Sequence, residues 1–234
     1  MFTGIVMARG RLLALRHRAG GGASVSIATP KTFLEGKTKV GDSIACNGVC
    51  LTATALGEDS FEADLSEETL KTTCFKHYTP GRVLNLELAC TPNTRLGGHL
   101  VSGHVDGIGR VLSRVALAGS VELTIKSPKA LARYISRKGS IAVDGVSLTV
   151  NEVEGDCFKL ALISHTQAET ASALWVPDAE VNLEVDIIAR YLERLWQYGK
   201  AGLAELTPGE SWGISSEAEV SALTLKTLEE AGLA

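Results

Sequence analysis

Slid along itself by 97 residues, this sequence lays SIACNGVCLT (43–52) over SIAVDGVSLT (140–149) and SFEADLSEET (60–69) over CFKLALISHT (157–166). Eleven of the 27 pairs across 43–69 are identical, where ordinary residue frequencies give about two. The same shift pairs Asn85, Leu86 and Glu87 with Asn182, Leu183 and Glu184, and a shift of 99 lays TGIV (3–6) over SGHV (102–105). Two copies of nearly 100 residues make two domains of one fold, not a solenoid. The expected division is 1–99, 100–190 and a tail at 191–234.

Each half reads as strand. Runs 51–56 and 61–65 flank Gly57, Glu58 and Asp59, and runs 148–153 and 158–162 repeat the pattern across Glu154, Gly155 and Asp156, so each pair is expected to form a hairpin. Asn47 and Gly48 mark a two-residue turn that sets Cys46 opposite Val49 and sends Cys50 to the other face. About six short strands per copy suggest a small closed barrel, because closure removes exposed edges. Ser127 is expected to cap a short helix with Pro128 in its first position and an apolar stripe of Leu131, Tyr134 and Ile135; Thr29 and Pro30 open the matching turn. In the tail, Asp186 is the expected N-cap of a helix carrying Ile188, Tyr191, Leu192 and Leu195 and ending at Gly199, with a polar connector at 207–216 and a second helix at 221–231. An amphipathic helix outside two complete barrels suits an oligomer contact.

Composition narrows the function. With 23 Lys and Arg against 27 Asp and Glu, the net charge of -4 argues against a nucleic-acid partner. No apolar run approaches the roughly 18 residues that a membrane span needs. Residues 1–34 hold five basic and no acidic side chains, as a transit peptide would, yet this segment has a twin in mid-chain and reads as folded domain. Five cysteines are an odd count, expected as free thiols in a reducing, cytoplasmic compartment. Cys74 and His77 have a ligand-like spacing without a second pair to complete a zinc site.

Ser102, His104 and Asp106 have the residue types of a hydrolase triad. Alternate residues of a strand nevertheless stand roughly 6.5–7 Å apart, too far for chained hydrogen bonds. Ser102 sits in no Gly-x-Ser-x-Gly elbow, and the glycines of its segment form no Gly-x-Gly-x-x-Gly loop. Matched positions that differ are more informative: Cys50 faces Ser147, Ile5 faces His104, Met7 faces Asp106 and Asp64 faces Ala161. Around Cys50 and Ser147 the Gly, Val, Leu and Thr are retained, which points to a functional thiol and a functional hydroxyl.

MFTGIV, NGVCLT, TPNTRLGGHLVSGHVDGIG, KGSIAVDGVSLTV and VNLEVD, in this order and spacing, resemble the α-type riboflavin synthases with two lumazine-binding domains, from Met1 to about Leu195. The resemblance implies an all-β chain of two tandem six-stranded antiparallel Greek-key barrels with a C-terminal helical tail. It implies a homotrimer whose sites lie between the first barrel of one chain and the second of its neighbour, with one ligand from each, and a possible lumazine synthase partner. The reaction would be dismutation of two molecules of 6,7-dimethyl-8-ribityllumazine to riboflavin and 5-amino-6-(D-ribitylamino)uracil, without metal or cofactor. Motif positions carry over ligand contacts at Gly4, Ile5, Val6, Cys50, Leu51, Thr52, Asp64, Leu65, Ser66, Glu67, Glu68 and Thr69 of the first copy. In the second they are Gly103, His104, Val105, Lys138, Ser147, Leu148, Thr149, Ala161, Leu162, Ile163, Ser164, His165 and Thr166. His104 is expected to carry protons, with Cys50 and Ser147 at the reacting edges and Thr52, Thr149 and Asp186 as supports. Ser164 stands where the family often has proline. A non-catalytic lumazine or flavin carrier would need one functional pocket only, whereas Cys50, His104, Ser147 and Thr149 all remain.

Overall fold

A computed structural model describes the backbone of residues 1–205 and the side chains of residues 1–198. The first copy contributes β1 (Ala8–His17), β2 (Ala23–Ala28), a one-turn helix α1 (Lys31–Leu34), β3 (Ser43–Cys46), β4 (Val49–Leu56), β5 (Ser60–Leu65), α2 (Glu67–Thr72) and β6 (Val83–Leu88). The second contributes β7 (Gly107–Leu117), β8 (Ser120–Lys126), α3 (Lys129–Ala132), β9 (Ser140–Val143), β10 (Val146–Glu154), β11 (Cys157–Ile163), α4 (Ser164–Glu169) and β12 (Glu180–Val185). The first six strands close in the order β1-β2-β5-β4-β3-β6 and the second six in the same cyclic order, all neighbours antiparallel. Both halves are therefore the closed six-stranded barrels that the strand count suggests.

Alternation explains the cores. β2 buries every second residue, Ala23, Val25 and Ile27, while β5 buries Phe61, Ala63 and Leu65. Closing only six strands needs strong local bending, and bulges supply it at matched places: between Leu12 and Ala14 and again between Val111 and Ser113, between Ala53 and Ala55 and again between Val150 and Glu152. The tight turns also repeat, with Asn47 and Gly48 at φ 47° and 79°, Asp144 and Gly145 at φ 43° and 78°.

These turns weld the barrels together about an internal dyad. A Cβ on Gly48 would lie 2.8 Å from the Gly145 nitrogen, and one on Gly145 would lie 2.7 Å from the Gly48 nitrogen. Buried amides interlock around the contact. Asn85 Nδ2 donates to the Asp144 carbonyl and Asn182 Nδ2 to the Asn47 carbonyl, both at 2.9 Å. Asn85 Oδ1 accepts from the Ala171 amide and Asn182 Oδ1 from the Cys74 amide. Phe2, Val101, Ala45 and Ala142 form a small apolar cluster from both halves.

Two expected helix ends differ. Ser127 does not cap α3: its Oγ donates to the Asp156 carbonyl, tying the helix entry to the β10–β11 turn, and Pro128 takes the cap position. The helix α5 (Ile187–Glu205) starts on Asp186, whose Oδ1 accepts the Ile188 amide at 3.0 Å, and runs through Gly199 to Glu205. A helix glycine costs about 1 kcal/mol, which does not by itself end a helix. Tyr191, Leu192, Leu195 and Trp196 of α5 are exposed. No described helix is long and apolar enough to cross a membrane. The connector 207–216 and the helix expected at 221–231 lie outside the described residues.

Candidate functional site

In each barrel one strand ladder stops short. β4 and β5 pair through Ala53 and Ala63, and β10 and β11 through Val150 and Leu160. Beyond those pairs Thr52 and Asp64, and likewise Thr149 and Ala161, are joined only to their outer neighbours: Thr52 to Ser43, Asp64 to Ser24, Thr149 to Ser140 and Ala161 to Glu122. Each parting leaves backbone edges that can bind a flat heterocycle by its donors and acceptors, as a strand partner would.

Over each opening lies a segment from the other half. The Ser147 amide donates to the Gly4 carbonyl and the Cys50 amide to the Gly103 carbonyl, both at 2.8 Å. Val6 packs on the core of the second barrel and Val105 on that of the first. Sequence position groups Gly4, Ile5 and Val6 with Cys50; contact groups them with Ser147, and Gly103, His104 and Val105 with Cys50. Both glycines are required by geometry. Their φ angles are +75° and +82°, and a Cβ would meet Ser147 Cβ or Cys50 Cβ at 2.6 Å.

The remaining candidates divide by direction. Leu51, Leu65 and Leu162 are buried in the barrel cores, so these three offer only backbone to a ligand, while Leu148 packs against its own core and stays partly exposed. Cys50, Ser147 and Thr166 are partly exposed, while Thr52, Thr149, Ala161, Ile163, Ser164 and His165 are exposed. Asp64 is held by Arg18 in an exposed ion pair. Ser66 caps α2 by accepting the Thr69 amide at 3.0 Å, with Glu67 and Glu68 in its first turn. The twin helix α4 is capped by Ile163 without a side-chain bond, and Ser164 Oγ donates to the Gly119 carbonyl instead.

Lys138 has φ +67° where its twin position, Gly41, has φ +95°. Their amides donate to Val150 and Ala53 in matched bonds of 2.7 and 2.8 Å. A side chain in this left-handed conformation costs about 1–2 kcal/mol, so the lysine is held where glycine would sit more easily.

One residue was missed by sequence reasoning. His99 Nδ1 and Ser147 Oγ share a hydrogen bond of 2.7 Å, and His99 is 7% exposed. Burial lowers its pKa from the ordinary 6.5, opposed by the charge of Asp186, so the imidazole is neutral near pH 7. Its Nε2 is buried without a hydrogen-bond partner among the described residues. The signal was a histidine directly after Gly97 and Gly98; a Cβ on Gly98 would lie 2.7 Å from Ser147 Cβ.

The hydrolase triad is not assembled. Ser102 Oγ donates to Glu184 at 2.7 Å and accepts the His104 amide, while Asp106 Oδ2 accepts the Val185 amide. His77 pairs with Glu180 at 2.8 Å, Cys74 is buried, and the five cysteines are free thiols. Among the described residues no group of three or more His, Cys, Asp and Glu is arranged to hold a metal.

The family described as the lumazine binding domain matches twice, at residues 3–89 and 102–186. The riboflavin synthase of Photobacterium phosphoreum is 46% identical over 195 residues, covering 83% of this chain and 88% of its own. That of Brucella abortus is 39% identical over 208 residues, covering 86% of this chain and all of its own, and that of Bacillus subtilis is 38% identical over 194 residues, covering 83% and 89%. Among solved structures, LumP complexed with riboflavin superposes with a TM-score of 0.73 at 25% identity, covering 79% of this chain and 99% of that one. Two barrels that lend each other a glycine segment, two lumazine-binding matches and this degree of identity lead to one conclusion: the chain belongs to the riboflavin synthase family.

Proposed function

We propose that the two openings each hold one 6,7-dimethyl-8-ribityllumazine and that the Cys50 and Ser147 ends supply different chemistry to two identical molecules. The reaction of the family is a transferase reaction, a dismutation in which one substrate gives up a four-carbon unit and the other accepts it. The products, riboflavin and 5-amino-6-(D-ribitylamino)uracil, together contain the atoms of two substrates, so no external oxidant or reductant is needed.

The observation that carries this reading is the hydrogen bond between His99 and Ser147, which has no counterpart at the Cys50 thiol among the described residues. With Nδ1 as acceptor, the neutral imidazole polarises the serine hydroxyl beside the bound ring. That hydroxyl, or a water activated through it, suits attack at C7 of one lumazine. The other ring loses a proton from its C7 methyl group to give a stabilised carbanion. His104, on the segment over Cys50, is the candidate to move that proton, with Thr52, Thr149 and Asp186 as polar supports. C–C bond formation and two eliminations follow. Orienting two bound rings can supply about 7–11 kcal/mol of the barrier. Lys138 at the Ser147 end suits a polar group of the substrate.

The two openings belong to different barrels, and a chain-to-chain pairing of unlike ends suits a homotrimer; the exposed apolar side chains of α5 support assembly through that helix. A cytoplasmic setting fits five free thiols. Lumazine synthase remains the candidate partner because it would supply the substrate. The carrier reading is less supported: relatives at 38–46% identity, among them those of Photobacterium phosphoreum and Bacillus subtilis, are named riboflavin synthases, and polar groups persist at both ends.

The test is to mix the purified protein with 6,7-dimethyl-8-ribityllumazine in chelator-treated buffer and follow both products by chromatography. One riboflavin per two lumazines consumed is the expected result. Tight binding without turnover would sink the catalytic reading.

A further inference from the structure

Each glycine segment is gripped by a buried carboxylate of its own barrel. Glu87 on β6 accepts the Thr3 amide at 2.6 Å and the Thr3 hydroxyl at 2.7 Å on Oε1, and the Gly4 amide at 3.0 Å on Oε2. Glu184 on β12 accepts the Ser102 amide at 2.6 Å, the Ser102 hydroxyl at 2.7 Å and the Gly103 amide at 3.0 Å. The two are 5% and 4% exposed. The gripped glycine then reaches into the opposite barrel, Gly4 to the Ser147 amide and Gly103 to the Cys50 amide.

We propose that Glu87 and Glu184 are positioning residues that act crosswise: each fixes, from a strand of one barrel, the backbone segment that completes the ligand opening of the other. The proposal rests on the reading of these openings as lumazine sites. The chemistry favours a carboxylate specifically. Three donors converge on two oxygens of one rigid fork, so both oxygens must accept. A glutamine of the same shape can accept only on its oxygen, and its amide then meets an N–H head on. Burial raises both glutamates above the ordinary carboxylate range, and the hydrogen bonds from the gripped segments pull them back. The side chains that follow the grip are the ones at stake. Ile5 and Val6 are carried over the Ser147 opening, His104 and Val105 over the Cys50 opening.

Cys50 offers a reporter of one opening, because its thiol is partly exposed; Cys46 and Cys74 are buried, and the accessible Cys90 and Cys157 are told apart from it by peptide. The experiment treats the full chain, Glu184→Gln and Glu87→Gln with N-ethylmaleimide, with and without 6,7-dimethyl-8-ribityllumazine, and reads each cysteine by peptide mass spectrometry. Steady-state turnover is measured in parallel. Glu184→Gln is expected to speed Cys50 labelling about fivefold or more and to weaken its protection by lumazine. Glu87→Gln is expected to leave Cys50 labelling and protection within twofold, although Glu87 lies in the same barrel as Cys50. Both variants are expected to lower kcat more than they raise KM. Should Glu184→Gln fail to fold, Ser102→Ala removes one of the three donors and is expected to move Cys50 labelling in the same direction. Faster labelling in Glu87→Gln but not Glu184→Gln would overturn the crosswise assignment. Equal exposure of Cys46 and Cys74 in both variants would reduce the glutamates to general stability. Absence of lumazine protection in the unmodified chain would instead fault the reading of the opening, a distinguishable outcome.

Discussion

The Cys50 end and the Ser147 end are built by the same strands, the same bulges and the same kind of borrowed segment, and they differ in what is added. At Ser147 a buried histidine bonds the hydroxyl and feels the charge of Asp186, and further along the same strand Val150 accepts the amide of a lysine in a left-handed conformation. At Cys50 the matching lysine position is Gly41, no histidine bonds the thiol among the described residues, and the helix beyond the opening is capped by Ser66. Shape is thus held by backbone, which duplication copies faithfully, and chemistry by a few side chains, which can diverge without disturbing it. Two molecules of one compound can then be held alike and treated differently.

The largest effect is expected where the copies cannot differ. Gly103→Ala places a Cβ 2.6 Å from Cys50 Cβ and 2.8 Å from the Phe2 ring at φ +82°, and should cost about 3–4 kcal/mol in urea unfolding. Gly4→Ala should cost about as much; a loss under about 1 kcal/mol in either would show that the segments yield easily. Next come the groups unique to one end. His99→Gln should lower kcat about 100-fold with little change in KM, and Cys50→Ser should do so far less. Because burial lowers the His99 pKa, the unmodified rate should fall with acid only below pH 6.5, and this limb should vanish in His99→Gln.

A smaller effect tests the dyad itself. Asn47 Nδ2 donates to the Tyr78 hydroxyl, whereas Asp144 Oδ2 accepts from Trp175 Nε1. A tyrosine hydroxyl can accept, but an indole N–H only donates, so Asn with Tyr and Asp with Trp are matched sets. Asp144→Asn and Trp175→Tyr should each destabilise, and the double variant should recover about 1–2 kcal/mol in a double-mutant cycle. Burial pushes Asp144 up to about 6. Its folded form therefore binds a proton that the unfolded form releases near 3.8, and this contribution is lost as the pH rises from about 4 through 6. Stability curves against pH should show that slope in the unmodified chain and not in Asp144→Asn. The smallest effect belongs to Arg18→Ala, which breaks an ion pair whose side chains are about half exposed and should cost under about 0.5 kcal/mol.

Much of this was legible in the sequence because duplication doubles the signal. The hairpins, the Cys46 and Val49 pairing and the two barrels follow from periodicity and turn residues that occur twice. The crossing of residues 4–6 and 103–105 was not legible, since strand pattern says nothing about which barrel a loop will cover. His99 was hidden for a related reason: comparison of the copies finds positions that differ, and a residue of the linking segment adds to one site without a twin to contrast. Gly199 misled because its weak local penalty was read as a stop signal for α5.

The crosswise borrowing also orders the events of synthesis. Residues 3–6 leave the ribosome long before Ser147, the backbone they cover, and the cover of Cys50 is gripped by Glu184, close to the end of β12. On a single growing chain the first barrel can close its sheet early, yet its ligand opening stays unfinished until the second barrel is almost fully made.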